Sequence, residues 1–152
     1  MLKFGDININ GLFLKPFMEI HLTKKGKEAL AEKVLDLITD EIFTRSQENL
    51  VEMGKIDTGF LLRSGNVIRE KGKRKIVYSA PYSGYIEYGT LPHFPPVEPI
   101  FEWVKRKMGK SDKKAERIAW AVANKIAQQG TKPYPFLREA VYYVRGKYAK
   151  TR

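Results

Sequence analysis

Residues 67–78 read VIREKGKRKIVY, which is two short apolar runs joined by a charged turn. Val, Ile and Tyr on both sides of such a turn are typical of a β-hairpin, and Gly72 supplies the positive-φ residue that a tight connection favours. The cations Lys71, Lys73 and Arg74 at the turn are expected to stay solvated and to discourage edge-to-edge pairing. The stretch therefore predicts a β-hairpin.

A helical pattern precedes the hairpin. From Thr23 onwards apolar residues recur at helical spacing while charged residues occupy the other face. The predicted buried stripe consists of Leu30, Val34, Leu37, Ile38 and Ile42. Thr23 suits the N-cap, and Glu41 and Arg45 are spaced for an i, i+4 ion pair. Residues 4–22 alternate only loosely and predict short edge strands or an arm.

Three further segments follow the hairpin. Residues 81–99 are rich in Pro, Gly and aromatic residues, so we expect an ordered, irregular segment that buries its aromatic rings. Those rings are Tyr82, Tyr85, Tyr88 and Phe94. Helices are predicted from Pro99 to Met108, from about Lys113 to Gln129, and from near Pro135. The first is expected to bury Ile100, Trp103 and Val104, and the last Phe136, Ala140, Tyr143 and Val144.

Two outward faces of these helices carry unusual residues. Trp120 falls opposite the apolar stripe of its helix, so we expect its indole to contact either another chain or a neighbouring element of the same subunit. On the last helix, Arg138, Tyr142 and Arg145 line the far side as a cationic, aromatic stripe.

The charge is unevenly distributed. The chain has 152 residues, about the length of one domain, and its net charge is +11. Residues 1–53 carry 7 Lys or Arg and 9 Asp or Glu, whereas residues 54–152 carry 21 and 8. Such a surface attracts nucleic acid, an acidic protein or anionic lipid, or serves solubility alone. No apolar run approaches the roughly 20 residues that span a bilayer, and we expect no membrane contact.

The inventory of residues argues against catalysis. There are no cysteines and only two histidines, His21 and His93, and the glycines form no phosphate-binding loop. A metal-dependent nuclease would need scattered carboxylates to meet, and no spacing argues that they do. The carboxylates in question are Asp57, Glu87, Glu98 and Glu102. We therefore predict no enzyme activity, no metal and no cofactor.

Three short motifs in order around the hairpin carry a family resemblance. They are DTGFLLRS at 57–64, APYSGYIEYGT at 80–90 and KPYPFLREA at 132–140. Over about residues 24–146 the chain resembles the gene-product-ten-like minor tail components of lambdoid long-tailed phages, also described as neck, head-tail joining or tail-completion proteins. The helices between Pro99 and Gln129 are longer than in the shortest members, and Glu139 stands where a proline is frequent.

The resemblance implies an α+β fold, a small twisted antiparallel sheet packed by a long N-terminal helix and two to three C-terminal helices. The length predicts one domain over residues 1–152, with the arm or edge strands at 1–22, which lie outside the family pattern, a tail-completion-like core at 23–148 and a disordered tail at 149–152. The resemblance also implies a structural virion protein, monomeric until it forms a ring of six at the head-tail junction. That ring would be assembled in the host cytoplasm between head-closure and tail-tube proteins.

Charge keeps a second function open, that of a nonspecific nucleic-acid-binding protein of a mobile element. In the ring-forming role Glu87 is expected to pair with an arginine such as Arg63 or Arg138, within or between subunits; the alternative is a structural hydrogen bond that fixes the turn after it. The predicted assembly or partner contacts are Arg63, Tyr85, Glu87, Tyr88, Trp120, Arg138, Tyr142 and Arg145.

Overall fold

The computed structural model describes residues 23–54 and 56–149. Its elements are α1 (Lys24–Glu52), α2 (Phe60–Arg63), β1 (Gly65–Glu70), β2 (Lys73–Tyr78), α3 (Ser83–Tyr88), α4 (Val97–Met108), α5 (Asp112–Gln129) and α6 (Phe136–Ala149). The predicted α+β class is confirmed, with a long N-terminal helix, a two-stranded antiparallel sheet and C-terminal helices. The predicted arm at 1–22 lies outside the described residues. Of the predicted tail at 149–152, Ala149 belongs to α6, and residues 150–152 lie outside the described residues.

The hairpin forms as predicted. Strands β1 and β2 pair antiparallel, with Gly65 opposite Tyr78 and Glu70 opposite Lys73. Gly72 has a φ of 68°, which lies in the left-handed region that a glycine adopts without strain. The register leaves Ile76 on the buried face, where it meets α1.

The main core lies between α1, the hairpin and α6. Its buried apolar residues are Ile42, Leu50, Leu61, Ile76, Ala80, Phe136, Leu137, Ala140 and Val144. The Tyr78 ring stands edge-on to Phe136, with their centroids 4.9 Å apart, and its hydroxyl lies 2.6 Å from Ser46 Oγ. Burial raises the pKa of Tyr78 above its ordinary value, so the phenol stays neutral and exchanges a hydrogen bond with Ser46.

The buried face of α1 differs from the predicted stripe. Leu37 is 68% exposed and Leu30 is also exposed, while Thr39, Ser46 and Asn49 are buried. Leu37 lies about 140° around the helix from Ile42, so one helix face cannot cover both. The prediction counted apolar residues, whereas the core accepts polar ones that find partners. Asn49, for example, donates its side-chain amide to the Phe136 carbonyl at 2.8 Å.

Carboxylates on α1 hold the hairpin. The Arg74 side chain is only 8% exposed; its guanidinium lies 2.6 Å from an Asp36 carboxylate oxygen and 2.7 Å from one of Glu32. Arg69 pairs with Asp36 and Asp40 in the same row. The predicted solvation of the turn cations is therefore wrong for Arg74, because acids one helical turn apart on α1 draw it down onto the helix.

The ion pair predicted between Glu41 and Arg45 is also wrong. Glu41 instead pairs with Lys147 and accepts a hydrogen bond from the Tyr148 hydroxyl, both on α6. Arg45 reaches in the other direction, to Glu48 at 3.1 Å. Side chains of α1 thus hold both α6 and the hairpin.

The Arg74 contacts predict how stability depends on pH. Hydrogen bonds from Arg74 lower the pKa of Glu32 and of Asp36 below their ordinary 4.5 and 3.8. A carboxyl whose folded pKa is depressed stabilises the fold above its unfolded pKa and loses that contribution as the pH falls through the folded pKa. We expect the melting temperature to fall steadily below about pH 4.5.

We expect Arg74→Met to lower the neutral-pH melting temperature by several degrees and to flatten its fall at acid pH. Thermal unfolding followed by circular dichroism between neutral and acid pH measures both effects. Arg45→Met is the matched control, since Arg45 bonds carboxylates of its own helix and should change the profile little. An unchanged acid profile in Arg74→Met would contradict the assignment.

A second, smaller core joins α4 and α5. Val104 of α4 is fully buried against Ala115, Ala119 and Ala123 of α5, whose small side chains let the helices approach. Both helices match the predictions closely, although they begin at Val97 and Asp112. Trp103 was expected to be buried and instead lies at the surface.

Residues 83–88 form the helix α3, so the prediction of a wholly irregular segment is wrong. The helix turns Ile86 and Glu87 towards α6 and leaves Tyr85 and Tyr88 outside. The expected burial of the aromatic rings is wrong for all four of Tyr82, Tyr85, Tyr88 and Phe94. The same correction applies to Tyr143 on α6, which is exposed and lies beneath the Arg45 guanidinium.

Candidate assembly surface

Glu87 is a buried carboxylate at the start of α6. Its side chain is carried by α3, the residue is 3% exposed, and its two oxygens accept the backbone N–H groups of Leu137 and Arg138, each at 3.0 Å. The first N–H groups of a helix have no partner within the helix, and a negative charge there complements the helix dipole. Glu87 therefore caps α6 from 50 residues away and makes the structural hydrogen bond expected as one of its alternatives.

Arg138 is the cation that meets Glu87. Its guanidinium donates to the Glu87 backbone carbonyl at 3.3 Å, and its Nε lies 3.7 Å from the Glu87 carboxylate. The same guanidinium sits 5.3 Å from the centre of the Tyr88 ring. Of the two predicted arginine partners, Arg138 is confirmed within one chain. Arg63 does not pair with Glu87 within the chain, because it donates to the Thr58 carbonyl in its own loop.

A backbone bridge fixes the turn that follows α3. Thr90 and Thr131 exchange both backbone hydrogen bonds, at 3.1 and 3.2 Å, and their hydroxyls lie 3.1 Å apart. Gly89 and Gly130 flank the bridge with φ values of 71° and 67°. A Cβ on Gly89 would lie 2.3 Å from the Thr131 carbonyl oxygen. The second motif thus meets the third at the α6 cap, and its last residue pairs with the residue just before the third motif at the bridge.

The first motif organises the base of the hairpin. Gly59, with a φ of 74°, opens α2, and the Thr58 hydroxyl accepts the N–H of Phe60 at 3.4 Å. Asp57 pairs with Arg106 of α4 at 2.7 Å, and this ion pair connects the α4–α5 pair of helices to the loop. Within residues 23–54 and 56–149, no three His, Asp or Glu side chains converge as metal ligands would.

An exposed surface is built on this framework, which we call the α3–α6 face: Tyr85, Tyr88, Arg138, Tyr142 and Arg145. Arg138, Tyr142 and Arg145 follow at i, i+4 and i+7, so they share one side of α6. Tyr88 joins the two helices through its contact with Arg138. Tyr85, on α3, is 64% exposed. Tyrosine and arginine are the residue types enriched at protein interfaces.

Comparisons of the chain with protein-family models, with curated proteins and with solved structures found no match. The resemblance to tail-completion proteins therefore stays a prediction. Among the described helices, none is both long and apolar enough to cross a bilayer.

The remaining predicted contact, Trp120, lies on α5. It is 47% exposed and packs beside Phe94, with ring centroids 6.1 Å apart. The expected packing against a neighbouring element of the same subunit is thus present, but it covers only part of the indole. An open groove of about 910 Å³ lies beside the Thr90–Thr131 bridge, and Tyr85, Leu91 and Ile126 help to line it. The sequence analysis did not predict this groove, although the proline-rich residues 92–96 indicate an ordered segment that could form one side of it.

Proposed function

We propose that this chain is a structural subunit of a tailed phage or prophage particle that assembles into a ring at the head-tail junction. The observation that carries the proposal is the buried Glu87 cap. The Glu87 carboxylate holds α3 against α6 and so fixes the position of a face with three exposed tyrosines, the exposed Arg145 and the half-buried Arg138. Such an arrangement suits assembly, because preorganised aromatic side chains lose little conformational freedom on binding.

A closed ring needs two different, complementary surfaces on each subunit, because its contacts are head-to-tail. The α3–α6 face supplies one. The outer side of α1 supplies the second, where Leu30, Leu37 and Val51 are exposed at spacings of seven and fourteen residues. The number of six subunits, the monomeric state before assembly, and the head-closure and tail-tube partners come from the family resemblance and are part of the proposal.

The proposal predicts what removal of the exposed tyrosines does. We expect Tyr85→Ala combined with Tyr142→Ala to weaken the subunit contact by about 2 kcal/mol or more per buried tyrosine. Because both rings are exposed in the free subunit, its free energy of unfolding should change by no more than about 0.5 kcal/mol per site. The gene is deleted in the genome that encodes it, and the variant is supplied on a plasmid. Electron microscopy then counts joined particles against separate heads and tails.

Tyr143→Ala is the matched control, since Tyr143 is an exposed tyrosine of the same helix that faces Arg45 of α1. We expect it to support joining as the parent chain does. Infectious particles that form normally without the gene would overturn the proposal. The same outcome together with tight binding to random duplex would favour the nucleic-acid-binding protein, the alternative that the exposed cations of α5 support.

A further inference from the structure

The turn between α4 and α5 and the first half of α5 concentrate positive charge. Residues 105–117 contain seven Lys or Arg and two Asp or Glu. Three of the cations have partners within the chain. Lys105 pairs with Asp112, Arg106 pairs with Asp57, and Lys107 donates to the Ile56 carbonyl. The other four make no ion pair within the described part of the chain and are exposed; they are Lys110, Lys113, Lys114 and Arg117.

Two of these cations share a helix face with the exposed indole. Lys113, Arg117, Trp120 and Asn124 follow at i, i+4, i+7 and i+11, opposite the alanines that α5 buries against α4. Lys113 and Arg117 lie about 6 Å apart along the helix axis, and Trp120 lies about 4.5 Å further on. The indole packs against the Phe94 ring, and the two ring planes are inclined by 45°. Glu116 lies at the edge of the face, and Asp112, the other acid nearby in the sequence, pairs with Lys105.

We propose that this α5 face binds the backbone of a nucleic acid, with phosphates on Lys113, Arg117, Lys110 and Lys114 and a sugar or base against Trp120. Cations at regular spacing beside a flat aromatic ring are the combination that tracks a nucleic-acid backbone. A basic helix face in a chain of pI about 9.8 is the electrostatic footprint of the same partner. An acidic protein would also satisfy the cations, whereas a nucleic acid carries phosphates and flat bases in every nucleotide and so matches the cations and the indole together. The inference does not depend on ring assembly.

Titration of a labelled random duplex and of oligo-dT, each of about 20 nucleotides, at salt concentrations from about 50 to 200 mM tests the inference. Each phosphate contact contributes about 0.9 to the logarithmic salt slope on duplex. We expect Lys113→Gln with Arg117→Gln to reduce that slope by about 2 and to weaken binding on the order of tenfold per cation at 50 mM salt. Lys24→Gln with Lys27→Gln removes the same charge from α1 and is the matched control, expected to leave the slope nearly unchanged.

The indole gives a second readout. In a Trp103→Phe background Trp120 is the one remaining tryptophan, and its fluorescence should be quenched when oligo-dT binds. Glu116→Gln should tighten binding several-fold, because it removes the acid beside the cations. Equal slopes in the α5 and α1 variants, or binding of poly-glutamate but not of either oligonucleotide, would overturn the inference. Particle joining that survives in the α5 variant would separate this surface from the α3–α6 face.

Discussion

Replacing Glu87 with alanine is expected to lower the free energy of unfolding by about 3–5 kcal/mol, because two charge-assisted hydrogen bonds at about 1.5–3 kcal/mol each are lost together. The N–H groups of Leu137 and Arg138 would be left without partners beneath a side chain that is 3% exposed. Arg138 would also lose its carboxylate neighbour and its fixed position over Tyr88. The loss therefore falls on stability and on the geometry of the α3–α6 face at once.

Urea unfolding followed by circular dichroism measures this loss. Glu98→Ala is the matched control, because Glu98 is an exposed glutamate in the first turn of α4 and should change stability by no more than about 0.5 kcal/mol. Glu87→Gln should fall between the two, since one amide oxygen still accepts while the amide nitrogen meets a second donor. A Glu87→Ala subunit that unfolds like its parent yet fails in particle joining would show that Glu87 acts on a partner instead.

The hairpin and the longer helices were predictable because their signals are local. Gly72 marks the turn, and α5 repeats Ala115, Ala119 and Ala123 at helical spacing. Helix α3 was missed because it has six residues in a segment rich in Pro and Gly, and a helix that short forms through tertiary contacts rather than intrinsic propensity. Those contacts are Glu87 with the start of α6 and the Ile86 carbonyl with the Tyr134 N–H, which no local pattern encodes.

The exposed tyrosines show a second limit of sequence reasoning. An aromatic-rich segment indicates burial in general, yet Tyr85 and Tyr88 lie three residues apart on the exposed side of α3. Arg74 shows the converse, since a cation in a charged turn became nearly buried by meeting acids some 40 residues earlier. The pairing of Glu87 with an arginine was foreseen from charge alone, but only the packing of α3 on α6 selects Arg138 over Arg63.

We expect Gly89→Ala and Gly130→Ala to be the most damaging glycine substitutions in the described chain outside the hairpin base. Gly89 combines a φ of 71° with a ψ of −171°, and Gly130 a φ of 67° with a ψ of −158°. This backbone region is essentially confined to glycine, so an alanine there costs about 1–3 kcal/mol before any clash. A Cβ on Gly130 would lie 2.0 Å from the Thr90 carbonyl oxygen, and one on Gly89 would lie 2.3 Å from that of Thr131. Because these atoms are backbone, relief requires opening the bridge, at a further cost of about 0.5–1.5 kcal/mol for each of its hydrogen bonds.

Gly72→Ala separates the conformational cost of a positive φ from the cost of the clash, because Gly72 has a φ of 68° and open space where its Cβ would lie. It should lose only the conformational cost, whereas either bridge variant should lose about 2–3 kcal/mol more in urea unfolding. The double variant Gly89→Ala with Gly130→Ala should cost less than the sum of the two, since one opened bridge relieves both clashes. Equal losses at Gly72 and Gly89 would mean that the bridge adds nothing to stability. Strict additivity would mean that the two glycines serve separate contacts.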